Sequence, residues 1–349
     1  MSKDKKFLMT AGSTGGHIFP ILAVAEELKI QGHDIHIVSS GSELEKTALF
    51  EFPVSVLSIG RLRKNIALFE RVKTFILLPY YLIRALFILL KVKPDKVIGS
   101  GGAVSGPILL MACFLRYETV IWELNAVPGF ANKILSFFVK NIFIGFASTE
   151  KYFSGKKCQL TSFPVRKEIR ETGSQEREAD GYSHLLILGG SQGSHAINKA
   201  VMDMYGEEKM ETWKIRHQTG LRDFNSIHSM YKDRIECSPF YKDMGSCYRW
   251  ADVIVARAGA VTLAELSACG KASIVIPLSS ASDDHQLKNA QALYQGGAIE
   301  MILEEDLSGA RLFEMIMSIH GKKKRELETH IKKFYDPQGL QKIIHYCQS

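Results

Sequence analysis

Residues 7–30 read as a strand, a glycine turn and a helix, a pattern that restricts the chain to few folds. Residues 7–10 form a short apolar run of buried-strand type, Gly12, Gly15 and Gly16 permit a sharp turn, and residues 21–30 carry helical periodicity. His17 falls where that helix should begin. In open α/β sheets ligands bind at the carboxyl ends of the strands, and helix N-terminal N–H groups there favour anions such as phosphate. The turn is not a dinucleotide fingerprint: Thr14 occupies the second glycine position, no acid ends the next strand at residues 35–40, and no Lys-Ser/Thr follows as in a P-loop.

The same rhythm continues along the chain. Strand-like runs at 7–10, 35–39, 54–59, 96–99, 119–122 and 142–145 alternate with helical segments, as in a parallel sheet. A polar stretch, 167–183, is expected to separate this series from a second one that opens at His184 with an apolar strand and another glycine turn, 189–193. Later strands of the second series are expected at 214–218, 234–237, 252–256 and 273–277. The pattern predicts an α/β protein of two Rossmann-like domains facing a cleft, with a terminal helix within 336–349.

Composition narrows the partners. The net charge of +7 suits an acidic ligand or surface, yet no aromatic-interleaved Lys/Arg motif appears, so nucleic acid is not an expected partner. The six cysteines lack Cys-x-x-Cys pairs and accompanying histidines, which predicts free thiols in a reducing compartment and no cysteine metal site. The N-terminal residues lack the apolar core and cleavage site of a secretory signal, so a cytoplasmic location is expected. No Asp-x-Asp metal motif is present, and neither a metal nor a cofactor is expected.

The most apolar stretch, 74–90, is interrupted by Pro79 and Arg84 and falls short of the roughly 20 residues of a spanning helix. Arg61, Arg63, Lys64, Arg71, Lys73, Lys91 and Lys93 flank it. The combination fits an interfacial helix at an anionic membrane surface, or a buried helix of the first domain, or one that packs inward on one side and touches lipid on the other.

Single residues are ambiguous when read alone. His17 suits a general base, because imidazole titrates near neutrality, or a mere helix cap. Asn125 offers donor and acceptors to a sugar, or forms a turn with Pro128-Gly129. Glu123, ending a strand, is an acid/base candidate or a structural hydrogen-bond acceptor. Arg166 suits a diphosphate or plain solvent, and Glu265 suits ribose hydroxyls or an ordinary helix surface.

Several motifs, in order and covering essentially the whole chain, decide among these. They are Gly12-Ser13-Thr14-Gly15-Gly16-His17-Ile18-Phe19-Pro20, Gly101-Gly102-Ala103-Val104-Ser105-Gly106-Pro107, Trp122-Glu123-Leu124-Asn125-Ala126-Val127-Pro128-Gly129, Pro164-Val165-Arg166, Gly189-Gly190-Ser191-Gln192-Gly193, His217-Gln218-Thr219-Gly220, Arg257-Ala258-Gly259-Ala260-Val261-Thr262 with Glu265, and His285-Gln286 with Asn289-Ala290. Together they resemble the MurG family of glycosyltransferases. The resemblance implies the two-domain GT-B architecture, with an acceptor- and membrane-facing domain at 1–163, to which 336–349 returns, and a donor domain at 164–335. It implies inverting transfer of N-acetylglucosamine from UDP-GlcNAc to the C4 hydroxyl of the muramoyl sugar of lipid I, giving lipid II for peptidoglycan. The protein would sit peripherally on the cytoplasmic side of the inner membrane, among other cell-wall synthesis proteins.

The resemblance also assigns roles. His17 becomes the base, with Thr14, Gly15 and Gly16 around the acceptor pyrophosphate and sugar. Asn125 meets the donor sugar, and Arg166 and Ser191 the diphosphate. Ala260, Val261, Thr262, Leu263 and Ala264 lead the phosphate-binding helix to Glu265, the ribose ligand. Phe240 and Tyr241 hold the uracil, and His285 and Gln286 address the sugar hydroxyls. Departures from the family pattern are Ser162-Phe163 before Pro164, Ala103 for a frequent Tyr, and Asp284 for a frequent Asn. The competing readings are a UDP-N-acetylglucosamine 2-epimerase, which shares architecture and donor, and a non-catalytic nucleotide-sugar-binding accessory protein.

Overall fold

Among the described residues, thirteen strands form two separate sheets, every pair of neighbours parallel. The computed structural model describes residues 4–12, 15–59, 76–153, 158–175, 177–190, 192–204, 208–231, 235–279 and 284–349. The chain divides into two compact units, Met1–Pro164 with Pro337–Ser349, and Val165–Asp336. The expected pair of Rossmann-like α/β domains is therefore present as two units.

In the first unit the strands are β1 (Lys6–Thr10), β2 (Asp34–Ser39), β3 (Val54–Val56), β4 (Lys96–Gly99), β5 (Glu118–Glu123), β6 (Asn141–Ile144) and β7 (Cys158–Leu160), in the order 3-2-1-4-5-6-7. Helices α1 (Gly15–Ile30), α2 (Glu43–Ala48), α3 (Leu78–Val92), α4 (Gly102–Phe114) and α5 (Phe130–Leu135) connect them. Central strands such as β4 are buried along their whole length, because helices cover both faces of a parallel sheet. Strand order reverses between β1 and β4, which pair Thr10 with Gly99, so the turns after these two strands diverge to opposite faces and leave a crevice at their carboxyl ends.

The second unit repeats the plan with β8 (Ser183–Leu188), β9 (Trp213–Gln218), β10 (Ile235–Ser238), β11 (Val253–Ala256), β12 (Ala272–Val275) and β13 (Glu300–Met301), ordered 10-9-8-11-12-13. Its helices are α6 (Lys167–Gly173), α7 (His195–Met204), α8 (Leu221–Tyr231), α9 (Met244–Trp250), α10 (Ala260–Cys269), α11 (His285–Gln295), α12 (Gly309–Ser318) and α13 (Gly321–Lys332). Here the order reverses between β8 and β11. The stretch expected to separate the domains instead begins with α6, which belongs to the second unit. Ile169 is fully buried, and a Cβ on Gly245 of α9 would lie 2.8 Å from the Glu168 carbonyl, an approach that glycine makes feasible.

The last helix, α14 (Gly339–Gln348), lies in the first unit and buries Leu340, Ile343, Ile344 and Cys347. Each of the Leu and Ile side chains stabilises the docked helix by roughly 1.5–3 kcal/mol at full burial. Lys5 Nζ donates to the Gln348 carbonyl at 2.5 Å and Lys96 Nζ to the Tyr346 carbonyl at 2.5 Å, so two cations meet the negative end of the helix. None of the six cysteines is joined in a disulfide.

The apolar stretch 74–90 resolves, within its described part, into α3 and the residues leading to it; Arg61, Arg63, Lys64, Arg71 and Lys73 lie outside the described residues. One side of α3 packs inward through Tyr81, Ala85, Ile88, Leu89 and Val92. The other presents Ile83, Phe87 and Leu90 with Arg84 and Lys91, Phe87 being 63 % exposed. Among the described residues no helix is long and apolar enough to cross a membrane.

Candidate active site

Each unit carries its candidate residues at its own strand-order reversal. In the first, α1 begins after the β1 turn and brings His17 against the turn that follows β4. His17 Nδ1 lies 2.8 Å from the Ser100 carbonyl oxygen. A carbonyl can only accept, so Nδ1 carries the hydrogen, and in the neutral form of such a ring Nε2 is the nitrogen that can take a proton. Ser100 Oγ donates to the carbonyls of Thr10 and of His17 at 3.1 and 3.3 Å, tying the two turns together. A Cβ on Gly12 would sit 3.0 Å from Cβ, Cγ and Cδ2 of His17, so the glycine is what leaves room for that side chain beside β1's end. Gly16 is exposed and Gly15 opens α1; Thr14 lies outside the described residues.

The next strand extends this edge. Glu123, the last residue of β5, is buried and accepts from Asn125 N at 2.8 Å, Asn125 Nδ2 at 3.1 Å, Gly129 N at 3.1 Å and Asn132 Nδ2 at 2.8 Å. Of its two readings the structural one fits: the carboxylate organises the 124–129 loop and orients Asn125. Asn132 in turn backs the β4 turn, since a Cβ on Gly101, at φ 94°, would meet its Nδ2 at 3.1 Å. His17 and Asn125 thus follow β1 and β5, the two strands that flank β4, and are positioned through Ser100, Gly101, Asn132 and Glu123.

In the second unit α10 starts at Ala260 behind Gly259, which supplies no side-chain cap. The first N–H groups of Ala260, Val261 and Thr262 lack intrahelical acceptors and carry the positive end of the helix dipole, which suits a phosphate. Leu263 and Ala264 are buried beneath them, and Glu265 is 7 % exposed. Glu265 Oε2 accepts from the Tyr248 hydroxyl at 2.8 Å and Oε1 lies 3.5 Å from Arg166 Nη2. Burial raises the Glu265 carboxyl above its ordinary range, and the Arg166 guanidinium opposes that rise. Arg166 also pairs with Glu168 at 3.1 Å, so its charge is engaged by two carboxylates beside the candidate ribose ligand.

The glycine turn after β8 faces the ends of β9 and β11; Ser191 lies outside the described residues. Arg257, ending in a half-buried guanidinium, donates to Ser194 Oγ at 2.6 Å and to the Ile276 and Pro277 carbonyls at 3.2 and 3.4 Å, and pairs with Glu304. Gln286 Oε1 accepts from Leu278 N at 3.0 Å, which fixes the start of α11 against the segment after β12, and His285 is the first residue of that helix. The Tyr241 hydroxyl donates to the Glu236 carbonyl at 3.0 Å, and burial raises its pKa. Behind the turn His217 is fully buried between Asn198 and Tyr231, each at 3.0 Å, and desolvation pushes its imidazole down to about 3.

The second unit therefore gathers Ala260 to Glu265, His285, Gln286 and Tyr241 at one sheet edge. Ser100, Gln218, Tyr248 and Arg257 were not singled out as site residues by the sequence, although Gln218 and Arg257 stand inside recognisable motifs at strand ends. Among the described residues no group of His, Cys, Asp and Glu could hold a metal ion.

Comparison with known proteins finds two family profiles, one on each half of the chain. The glycosyltransferase family 28 N-terminal domain profile matches residues 7–144 and the family 28 C-terminal domain profile matches 184–344. A protein of Desulfotalea psychrophila is 34% identical over 360 residues, covering 99% of this chain and 97% of its own. One of Bdellovibrio bacteriovorus is 36% identical over 350 residues, covering 97% of each. Both are named UDP-N-acetylglucosamine–N-acetylmuramyl-(pentapeptide) pyrophosphoryl-undecaprenol N-acetylglucosamine transferase. The crystal structure of Acinetobacter baumannii MurG matches with a TM-score of 0.77 at 29% identity, over 99% of both chains. A putative UDP-N-acetylglucosamine 2-epimerase of Listeria monocytogenes matches with a TM-score of 0.71 at 12% identity over 99% and 98%, a likeness of fold alone. The chain belongs to glycosyltransferase family 28 and, within it, to the MurG family of N-acetylglucosamine transferases.

Proposed function

We propose that the chain transfers N-acetylglucosamine from UDP-N-acetylglucosamine to the muramoyl C4 hydroxyl of lipid I, releasing UDP and forming lipid II. The substrate pair is supported by full-length likeness to the named transferases. The chemistry is carried by one observation, the His17 Nδ1 bond to the Ser100 carbonyl, which leaves Nε2 as the proton acceptor. Nε2 takes the proton as the hydroxyl oxygen attacks the anomeric carbon, the bond to the diphosphate oxygen breaks, and a single displacement inverts the α-linked donor to a β-linked product.

The leaving diphosphate gains charge in the transition state, and stabilising it there is what accelerates the step. The N–H groups at the start of α10, which have no intrahelical acceptor, supply that stabilisation, with Ser191 contributing from the glycine turn. Glu265 accepts the ribose hydroxyls, and Tyr248 and Arg166 hold its carboxylate in place. The uracil rests on the Phe240-Tyr241 backbone. Asn125, His285 and the Gln286 amide N–H groups address the sugar hydroxyls, while Thr14, Gly15 and Gly16 flank the acceptor. Arg166, engaged with Glu265 and Glu168, contributes its charge to this side of the donor site.

The outer face of α3 docks on an anionic membrane surface, its Ile83, Phe87 and Leu90 entering the headgroup boundary and Arg84 and Lys91 meeting lipid phosphates. The acceptor's lipid tail then remains in the bilayer. Labelled UDP-N-acetylglucosamine incubated with lipid I and the purified protein tests the function: label in the lipid fraction with release of UDP supports transfer. An epimerised sugar nucleotide supports the 2-epimerase reading, and unchanged reactants support a binding protein.

A further inference from the structure

Two loops at the carboxyl edge of the second sheet must meet the donor together, the glycine turn after β8 and the segment after β10 that carries Phe240 and Tyr241. One side chain joins them. Gln218 ends β9, between β8 and β10, and is 4 % exposed. Its Nε2 donates to the Gly190 carbonyl at 2.9 Å, and its Oε1 accepts from the Tyr241 backbone N–H at 3.0 Å. These partners fix the amide's orientation, because the flipped amide would set oxygen against carbonyl and NH2 against N–H.

The backbone beside Gln218 has little freedom. Gly193 and Gly220 hold φ values of 76° and 79°, and a Cβ on Gly193 would lie 2.2 Å from the Thr219 carbonyl. Thr219 N donates to the Ser238 carbonyl at 3.0 Å, and Asn198 Nδ2 donates to the Thr219 carbonyl at 2.9 Å. With the strand end pinned on both sides, the length and polarity of the Gln218 side chain set the separation of Gly190 from Tyr241.

We propose that Gln218 is a positioning residue for the sugar nucleotide, holding the diphosphate turn and the uracil loop at the spacing that lets both ends of UDP be gripped at once, a role that rests on the donor placement proposed above. Gln218 acts through these two backbone segments. A ligand that spans both loops, UDP, depends on it strongly, and a ligand that uses one, uridine, depends on it weakly.

The test is Gln218→Glu in the full chain, with UDP binding measured by calorimetry from pH 8 to pH 5 beside the wild type. The carboxylate still accepts from Tyr241 N–H but opposes the Gly190 carbonyl; once protonated, it regains a donor. UDP affinity is expected to be at least about tenfold weaker than wild type at pH 8 and to approach wild type as pH falls. Gln218→Met, which has neither polar atom, is expected to stay weak at every pH and to raise KM for UDP-N-acetylglucosamine more than it lowers kcat. Equal UDP affinity in wild type and Gln218→Glu across the range overturns the proposal, as does a loss in Gln218→Glu that acid does not reverse. Should Gln218→Glu fail to fold, Gln218→Met decides alone: its ratio of UDP to uridine affinity is expected to fall about tenfold, and an unchanged ratio overturns the proposal. A wild type that does not bind UDP overturns the donor placement and the clamp with it, an outcome distinct from variants that bind as well as a wild type that does.

Discussion

His217 makes the donor-binding unit acid-sensitive by an amount that can be worked out. The Asn198 amide uses its NH2 on the Thr219 carbonyl and Asp223, so its oxygen accepts from His217 Nε2, and Nδ1 accepts from the Tyr231 hydroxyl. The ring is fully buried and neutral, its pKa pushed by desolvation from 6.5 to about 3. The unfolded chain therefore binds a proton between about pH 6.5 and pH 3 that the folded unit does not. Stability from this group is complete above the unfolded value and is lost as pH falls through the window. At about 1.4 kcal/mol per pH unit, moving from pH 7 to pH 5 costs about 2 kcal/mol at His217 alone. Because two units need not unfold together, the suitable assay is native-state hydrogen exchange of the β8 and β9 amides, which reads the opening free energy of this unit. Wild type is expected to lose about 2 kcal/mol more than His217→Gln between the two pH values. Equal losses in both proteins would refute a buried neutral imidazole.

Two other outcomes follow from the packing. Glu265→Ala is expected to weaken UDP binding about 10- to 100-fold, as loss of charge-assisted hydrogen bonds does, while 2′-deoxy-UDP, lacking one ribose hydroxyl, loses less; this is read as a ratio of dissociation constants. Replacing Ile83 and Phe87 together by Ser removes apolar surface worth roughly 1.5–3 kcal/mol per side chain at full burial. Flotation with anionic vesicles is expected to show reduced binding, with UDP affinity unchanged.

The alternation of apolar runs and glycine turns made the central strands of both sheets legible, because a strand covered on both faces has few polar residues. Two of the four edge strands, β3 and β10, were legible as well, at 54–59 and 234–237, whereas β7 and β13 were not. Cys158-Gln159-Leu160 of β7 is short and half polar, and β13 is only two residues, Glu300 and Met301, held by its register with β12. α6 read as a linker, since Glu168, Arg170 and Glu171 hide the buried Ile169 in a polar sequence. At the sites, the glycines and His17 stood out because their local chemistry is distinctive. Their partners did not, since the Ser100 carbonyl reaches His17 across 83 residues and Gln218 reaches Gly190 across 28, contacts set by strand register.

Comparing His17→Ala with wild type in parallel assays of UDP binding and of N-acetylglucosamine transfer to lipid I tests the proton-acceptor role most directly. The expected result is unchanged UDP affinity with transfer reduced by about 100-fold or more, the range a positioned general base supplies. Transfer that persists near the wild-type rate, or a variant that loses UDP affinity instead, contradicts it.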